Sequence, residues 1–397
     1  MLRTYRRYAD AILAQLPSNR LLALDMMRGL AITAMILVNN PGSWSYTYAP
    51  LQHAQWHGWT ITDLIFLFFI IIVGFSLQLS LSQHLLADRA QLLREAVKRS
   101  LKLFGLGLFL ALFYYNFRDP NFDYVQQRLL TVRWLGVLQR IALVYFALIM
   151  IVLFCRTQGR VLWLLGLCVL YLCGMWFVPY QDAFGNRFSG LWQFGNNFAA
   201  WLDHSLLGRQ HLYYRQAMPF AFDAEGIWST LPAIASGLSG VLMAQWWQSS
   251  RDLVQKIRGL FLFGAVAVWL AQLWQFYVPI NKNLWTPSFV LLSSGYFALL
   301  MGAALWLTEI KQWRRWCAPL VVFGANAILF FLLAGVLARL LLMLTVADTS
   351  LQQWLFGAFF QPLLGNLNGS LAYAICFLLL SYLFMHYCYK RGYIFKV

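Results

Sequence analysis

The chain has 397 residues, of which 61% are hydrophobic and 11% charged, against roughly 25% charged in an ordinary soluble domain. That balance excludes a mostly water-facing surface. A net charge of +16 would suit nucleic acid, but the basic residues sit in short breaks between apolar runs rather than in one patch, which excludes that partner.

A spanning helix needs ~20 mostly apolar residues. Such stretches are predicted, in chain order, at 21–40, 61–83, 101–117, 134–155, 161–179, 226–247, 258–278, 286–308, 317–343 and 367–389. The expected fold class is therefore all-α: a polytopic integral membrane helical bundle of about 10 transmembrane helices. Residues 1–20 form a cytoplasmic N-terminal segment, 21–389 the membrane domain and 390–397 a cytoplasmic tail. With the N-terminus inside, twenty of the 30 Lys and Arg residues, from Arg3 to Lys396, fall in inside segments. Seven fall outside (Arg118, Arg128, Arg133, Arg187, Arg209, Arg215 and Lys282), and Arg28, Arg140 and Arg339 lie within spans. The positive-inside rule thus explains the basicity and puts both termini in the cytoplasm. No small-residue cleavage site follows Val38, so the first span is expected to be retained. The six cysteines lie in or beside spans without metal-ligand spacing, so neither a disulfide framework nor a metal site is expected. Together with the compact loops, this points to a bacterial inner membrane, with an internal organelle as the alternative that the orientation also suits.

Three outside segments are rich in chemistry: 39–60, with His53, His57, Trp44 and Trp56; 180–225, with an amphipathic helix expected on the membrane surface over 197–212; and 278–287. Ionisable residues at membrane depth are costly and usually functional. Of fourteen acids, four lie at span ends: Asp25 at the inner end of the first, Asp63 at the outer start of the second, and Asp223 with Glu225 at the outer start of the sixth. No internal repeat or matched pair of broken helices, the pattern of many secondary transporters, is evident.

Eight strings recur in a recognisable order: LDMMRG (24–29), VNNPGSW (38–44), HAQWHG (53–58), TDLIF (62–66), GVLQRIAL (136–143), FDAEGIWSTLPAI (222–234), NKNLWTPSFV (281–290) and FGANAI (323–328). Together they resemble the heparan-alpha-glucosaminide N-acetyltransferase family, especially its bacterial members, some of them described as N-acetylglucosamine-related transporters. The resemblance implies acetyl-coenzyme A as co-substrate, a membrane-embedded site, a glucosamine-containing glycan or free amino sugar as partner, and a central histidine in the first outside loop. His53 occupies that position. His57 stands where the lysosomal members resemble asparagine and inherits no role. The shorter stretch ahead of the first motif, compared with the lumenal portion of the animal enzymes, favours a small amino sugar over a long polysaccharide.

The chemistry sets its own requirements. An amine attacks a thioester only when unprotonated, and the attack creates an oxyanion, so a base and hydrogen-bond donors are needed. His53 is the candidate base or acetyl carrier. Asp63 is the candidate orienting its imidazole, or else an N-cap of the second span. Asn39 and Asn40 are candidate oxyanion donors. For coenzyme A phosphates, the candidates are Arg20, Asp25, Arg28, Gln139 and Arg140; an Asp25–Arg28 ion pair on one helix face is an alternative. For the acceptor sugar, they are Asp223, Glu225, Asn281, Lys282, Asn283 and Trp285, with helix capping as the alternative for the two acids. The competing functional readings are an amino-sugar permease using Asp63 and Asp223, and an O-acetyltransferase of a surface glycan. Whether an acetyl-histidine forms, and whether the assembly is a homodimer, stays open.

Overall fold

In lipid a backbone must satisfy its hydrogen bonds within the segment, which selects helices for apolar runs. The computed structural model describes residues 2–17, 20–83, 88–393 and 395. Parts of both expected cytoplasmic segments, including Lys396 of the inner basic set, lie outside the described residues.

The helices are α1 (Leu2–Ala14), α2 (Leu22–Asn39), α3 (Ile61–Gln83), α4 (Arg89–Leu112), α5 (Val137–Phe154), α6 (Thr157–Phe177), α7 (Phe198–Leu207), α8 (Thr230–Gln248), α9 (Leu253–Trp274), α10 (Pro287–Leu305), α11 (Ala318–Ala325), α12 (Ala327–Met343), the short α13 (Leu351–Leu355) and α14 (Gln361–Leu364), and α15 (Asn366–Lys390). Strand is confined, among the described residues, to three two-residue hairpins: β1 (Tyr180–Gln181) with β2 (Arg187–Phe188), β3 (Trp192–Gln193) with β4 (Asn196–Asn197), and β5 (Thr345–Val346) with β6 (Thr349–Ser350).

Every predicted span falls on a helix, but the count of helices fit to cross a membrane is smaller. Seven of the described helices are long and apolar enough: α2, α3, α5, α6, α9, α10 and α15. The bent pair α11–α12 makes up to eight. Two others fall short for different reasons. α4 begins at Arg89, well before the predicted 101, because Asp88 caps it by accepting from the Ala90 amide at 3.2 Å; its first half is consequently charged. α8 is rich in buried small and hydroxyl residues, Ser236, Gly237, Ser239 and Gly240. They serve packing rather than lipid contact. A methyl added at Gly74 of α3 would lie 1.9 Å from the Gly237 carbonyl oxygen, and one at Gly240 would lie 2.0 Å from that of Ile71. The two backbones touch, and α8 runs through the core.

Two expectations need correction. The span predicted over 317–343 bends by 70° between α11 and α12. Asn326, at the bend, donates from its side chain to the Tyr393 carbonyl at 2.8 Å and accepts from the Phe395 amide at 3.0 Å. The helix expected on the membrane surface over 197–212 is instead α7, which ends at Leu207. Asn197 caps it by accepting from the Ala200 amide at 2.9 Å. Its Phe198, Ala199, Ala200 and Asp203 are buried, the apolar three in a second cluster with Tyr171 and Phe222. The apolar face of FAAWLD packs under loops of its own chain.

Candidate active site

The first loop and the start of α3 form the centre of the site. His53 Nδ1 lies 2.6 Å from Asp63 Oδ1. The other Asp63 oxygen accepts from the amides of Ala54 (3.1 Å) and Thr60 (2.9 Å) and from the Thr60 hydroxyl (3.2 Å). Asp63 therefore both closes the loop and faces the imidazole, and its side chain is 1% exposed while that of His53 is 46% exposed. A carboxylate so placed can only accept, which assigns the imidazole proton to Nδ1 and leaves Nε2 as the acceptor. Lys282 Nζ stands beside both ring nitrogens, 3.3 Å from Nε2 and 3.4 Å from Nδ1. Burial lowers the Lys282 pKa, against the opposing pull of Glu225 and Asp63.

The loop carrying Lys282 is tied to the first loop by its backbone. Asn281 donates to the Trp56 carbonyl at 2.8 Å and accepts from the Leu284 amide at 2.9 Å, and the Gly58 amide donates to Ile280 at 2.8 Å. Asn281 also approaches His57 at 3.4 Å. Trp285 adopts φ 53°, unusual for a bulky residue. Its ring is 1% exposed, and its Nε1 donates to Ser236 Oγ at 3.0 Å.

Behind these loops lies a buried charge network. Arg133 pairs with Asp223 through two nitrogens, the Nε–Oδ2 distance being 2.7 Å, and with Glu225. Burial alone would lower the Arg133 pKa, but the two carboxylates outweigh it and hold it above its ordinary value. Burial likewise favours neutral Glu225, yet Arg133, then Arg140 and Lys282, keep its carboxyl below the usual range. Asp203 on α7 accepts from the amides of Asp223 (3.2 Å) and Ile227 (2.8 Å). A methyl at Gly226 would lie 1.9 Å from its carboxylate, so glycine is required there. Arg140, fully buried, donates to the Gly226 carbonyl (2.8 Å) and Ser229 Oγ (2.6 Å), with its guanidinium 4.9 Å over the Trp285 ring. Its Nε and Nη1 have no hydrogen-bond partner among the described residues.

At the opposite end of the bundle a cavity of about 440 Å³ is lined by Arg20, Arg28, Arg99, Ser76, Tyr145 and Asn326, among others. Arg28 donates to Asp25 at 3.0 Å and to Ser76 at 2.9 Å, so the predicted ion pair exists and also borders the cavity. Arg99 stacks over Tyr145 at 4.6 Å, and its buried Nε lacks a partner among the described residues.

The predicted groupings are redrawn. Arg20, Asp25 and Arg28 come together, but Arg140 joins the network of Asp223 and Glu225, and Gln139 lines a separate cavity with Arg133. Asn40 donates to Ile36 in its own helix at 2.7 Å and Asn39 is exposed; among the described residues neither hydrogen-bonds His53. The Trp285 ring is covered by Arg140 and by Phe66 at 5.2 Å, leaving no open face for a sugar. Asn283 approaches Tyr214 at 3.5 Å. Sequence reasoning missed Arg133, Asp203 and Arg99. Only spatial partners distinguish them from loop charges.

The family model described as heparan-alpha-glucosaminide N-acetyltransferase, catalytic, matches residues 20–253. That interval holds His53, Asp63, Arg140 and the 223–225 acids, and stops before the Lys282 loop. The chain is 27% identical over 357 residues to heparan-alpha-glucosaminide N-acetyltransferase of Homo sapiens, covering 79% of this chain and 52% of the relative. It is 26% identical over 359 residues to the Mus musculus protein of the same description, covering 79% and 53%. The chain thus spans about half the length of the curated relatives it matches.

Proposed function

Because the chain belongs to the heparan-alpha-glucosaminide N-acetyltransferase catalytic family, we propose that it moves the acetyl group of acetyl-coenzyme A to the amino group of glucosamine or a related small amino sugar, with His53 at the reacting centre. The observation that carries this reading is the buried Asp63 carboxylate, held by three donors and facing His53 Nδ1 at 2.6 Å. A histidine so oriented presents Nε2 as a base with a fixed tautomer. In this reading the sugar ammonium takes the position beside Nε2 now held by Lys282 Nζ. His53 removes its proton, the free amine attacks the thioester carbonyl, and the carbon–sulfur bond breaks as the amide forms, the nitrogen's second proton passing to the departing coenzyme A thiolate. Lys282, displaced but still close, is the candidate donor to the oxyanion. The acids Asp223 and Glu225 shape the acceptor side through Arg133.

The Arg28 end suits the donor. Three arginines with one neighbouring acid, Asp25, border a 440 Å³ cavity, and an orphaned buried Arg99 nitrogen awaits an acceptor. Phosphate oxygens match such guanidinium groups. The proposed orientation sets this end and both termini in the cytoplasm of a bacterial inner membrane and His53 outside. Reporter fusions after Arg160 and near Asn197 should then report opposite sides. The decisive experiment supplies labelled acetyl-coenzyme A and a panel of amino sugars to the purified protein and to His53→Ala. Label should appear in an amino sugar with the parent and not with the variant; no acetylated sugar from a donor-binding parent overturns the proposal.

A further inference from the structure

At the His53 end, between α4, α5 and α12, lies another cavity of about 340 Å³, within the size range of ligand pockets. Four arginines line it, Arg128, Arg133, Arg215 and Arg339, and no acid does. Arg133 is committed to Asp223 and Glu225. The other three have no carboxylate partner among the described residues. Arg128 stacks over Tyr114 at 4.3 Å. Arg215 donates to the Thr131 carbonyl at 2.8 Å, and Arg339 to the Gly335 carbonyl of its own helix at 2.9 Å. Burial lowers the Arg128 pKa, Tyr114 opposes that shift and the nearby Arg215 adds to it.

Such a gathering repels itself unless an anion answers it, and a cation within a span ordinarily meets a partner or a polar cavity. Arg339 lies on α12, predicted as part of a span, and has no carboxylate partner among the described residues. The wall beside the guanidinium groups is apolar, with Leu110, Leu138 and Phe331. We propose that this cavity is a binding site for a phosphate ester, its oxygens taken by Arg128, Arg215 and Arg339 and its organic part by the apolar wall. Guanidinium forks suit phosphate oxygens. The inference goes beyond acetyl transfer and does not rest on it. The ester is either a phospholipid headgroup or a phosphorylated sugar.

The test uses the full chain in neutral phosphatidylcholine nanodiscs. One arm counts phosphatidylglycerol retained after doping, by native mass spectrometry; the other measures binding of radiolabelled glucosamine 6-phosphate. Parent protein is compared with Arg128→Gln/Arg339→Gln, with the exposed-site variant Arg215→Gln, and with Arg251→Gln at the opposite end as control. We expect one ligand to bind the parent, with affinity reduced about tenfold or more in the double variant, reduced less by Arg215→Gln and unchanged by Arg251→Gln. Loss in the lipid arm identifies a headgroup; loss in the sugar arm identifies a soluble ester. Binding of neither probe to the parent overturns the proposal, as does parental affinity in the folded double variant. Should that variant not fold, unchanged binding by Arg215→Gln overturns it.

Discussion

Two groups of arginines, one behind His53 and one around Arg28, are answered in opposite ways. At the His53 end, Arg133 is answered by Asp223 and Glu225, and Arg140 by Gly226, Ser229 and the Trp285 face. At the Arg28 end, three guanidinium groups surround an open cavity with Asp25 as their one nearby acid. Arg140 in the first group and Arg28 in the second both lie within spans, where a cation is costly, so depth does not separate the two cases. A cation whose partners belong to the protein holds loops in place, whereas one left facing a cavity is an address for an anion.

The largest test of that contrast is chemical. His53→Ala should lower turnover by roughly two to four orders of magnitude and leave acetyl-coenzyme A affinity unchanged, because the imidazole lies at the other end from the Arg28 cavity. His57→Asn, whose ring contacts Asn281 at 3.4 Å and not Asp63, should keep substantial activity. Steady-state assays with donor-binding controls decide it, and parental turnover by His53→Ala would remove histidine from the centre.

Arginine substitutions sharpen the comparison directly. Arg28→Ala should raise the donor Kd by about ten- to a hundredfold, the worth of a charge-assisted hydrogen bond, with acceptor saturation unaffected. Arg140→Ala should do the reverse: destabilise by about 1.5–3 kcal/mol with the donor Kd unaltered. Calorimetric titration and thermal unfolding separate the two, and exchanged phenotypes would break the assignment of the ends.

The smallest effect is a pH slope. Burial raises the Asp203 pKa from 3.8 to about 7, so the native protein holds a proton that the unfolded chain has released over that window. Its contribution to stability therefore declines as pH rises from about 4 to about 7 and is level above. Asp203→Asn should flatten that part of the stability profile relative to the parent. Parallel unfolding curves across pH would show that Asp203 does not titrate there.

How much of this was legible beforehand depends on the range of the signal. The apolar runs marked each span's helix, because a continuous stretch of some twenty residues is a local property. The ten-residue spacing of His53 and Asp63 also held, since Asp63 opens α3 and the loop between them folds back onto its carboxylate. Groupings across distant segments are harder to read, and two of them are redrawn. Arg140, grouped with Arg28 only as a coenzyme A candidate, meets Gly226 and Ser229, eighty-six and eighty-nine residues on. Arg133 looked like a loop cation until Asp223 and Glu225 were seen to enclose it. Trp285 was expected as a sugar platform, and its positive φ turns the ring into the core instead.

The glycine crossing of α3 and α8 has a mechanical consequence. With Gly74 against Gly237 and Gly240 against Ile71, the two helices meet backbone to backbone and cannot slide without driving carbonyls into side chains. They act as one stiff spar. Asp63 rides at the start of α3, and Ser229, which anchors Arg140, just ahead of α8. The separation between Asp63 and the anchor of Arg140 is therefore set by a contact deep in the bundle, and movement between the two sides of the site falls to the loops and helices outside that spar.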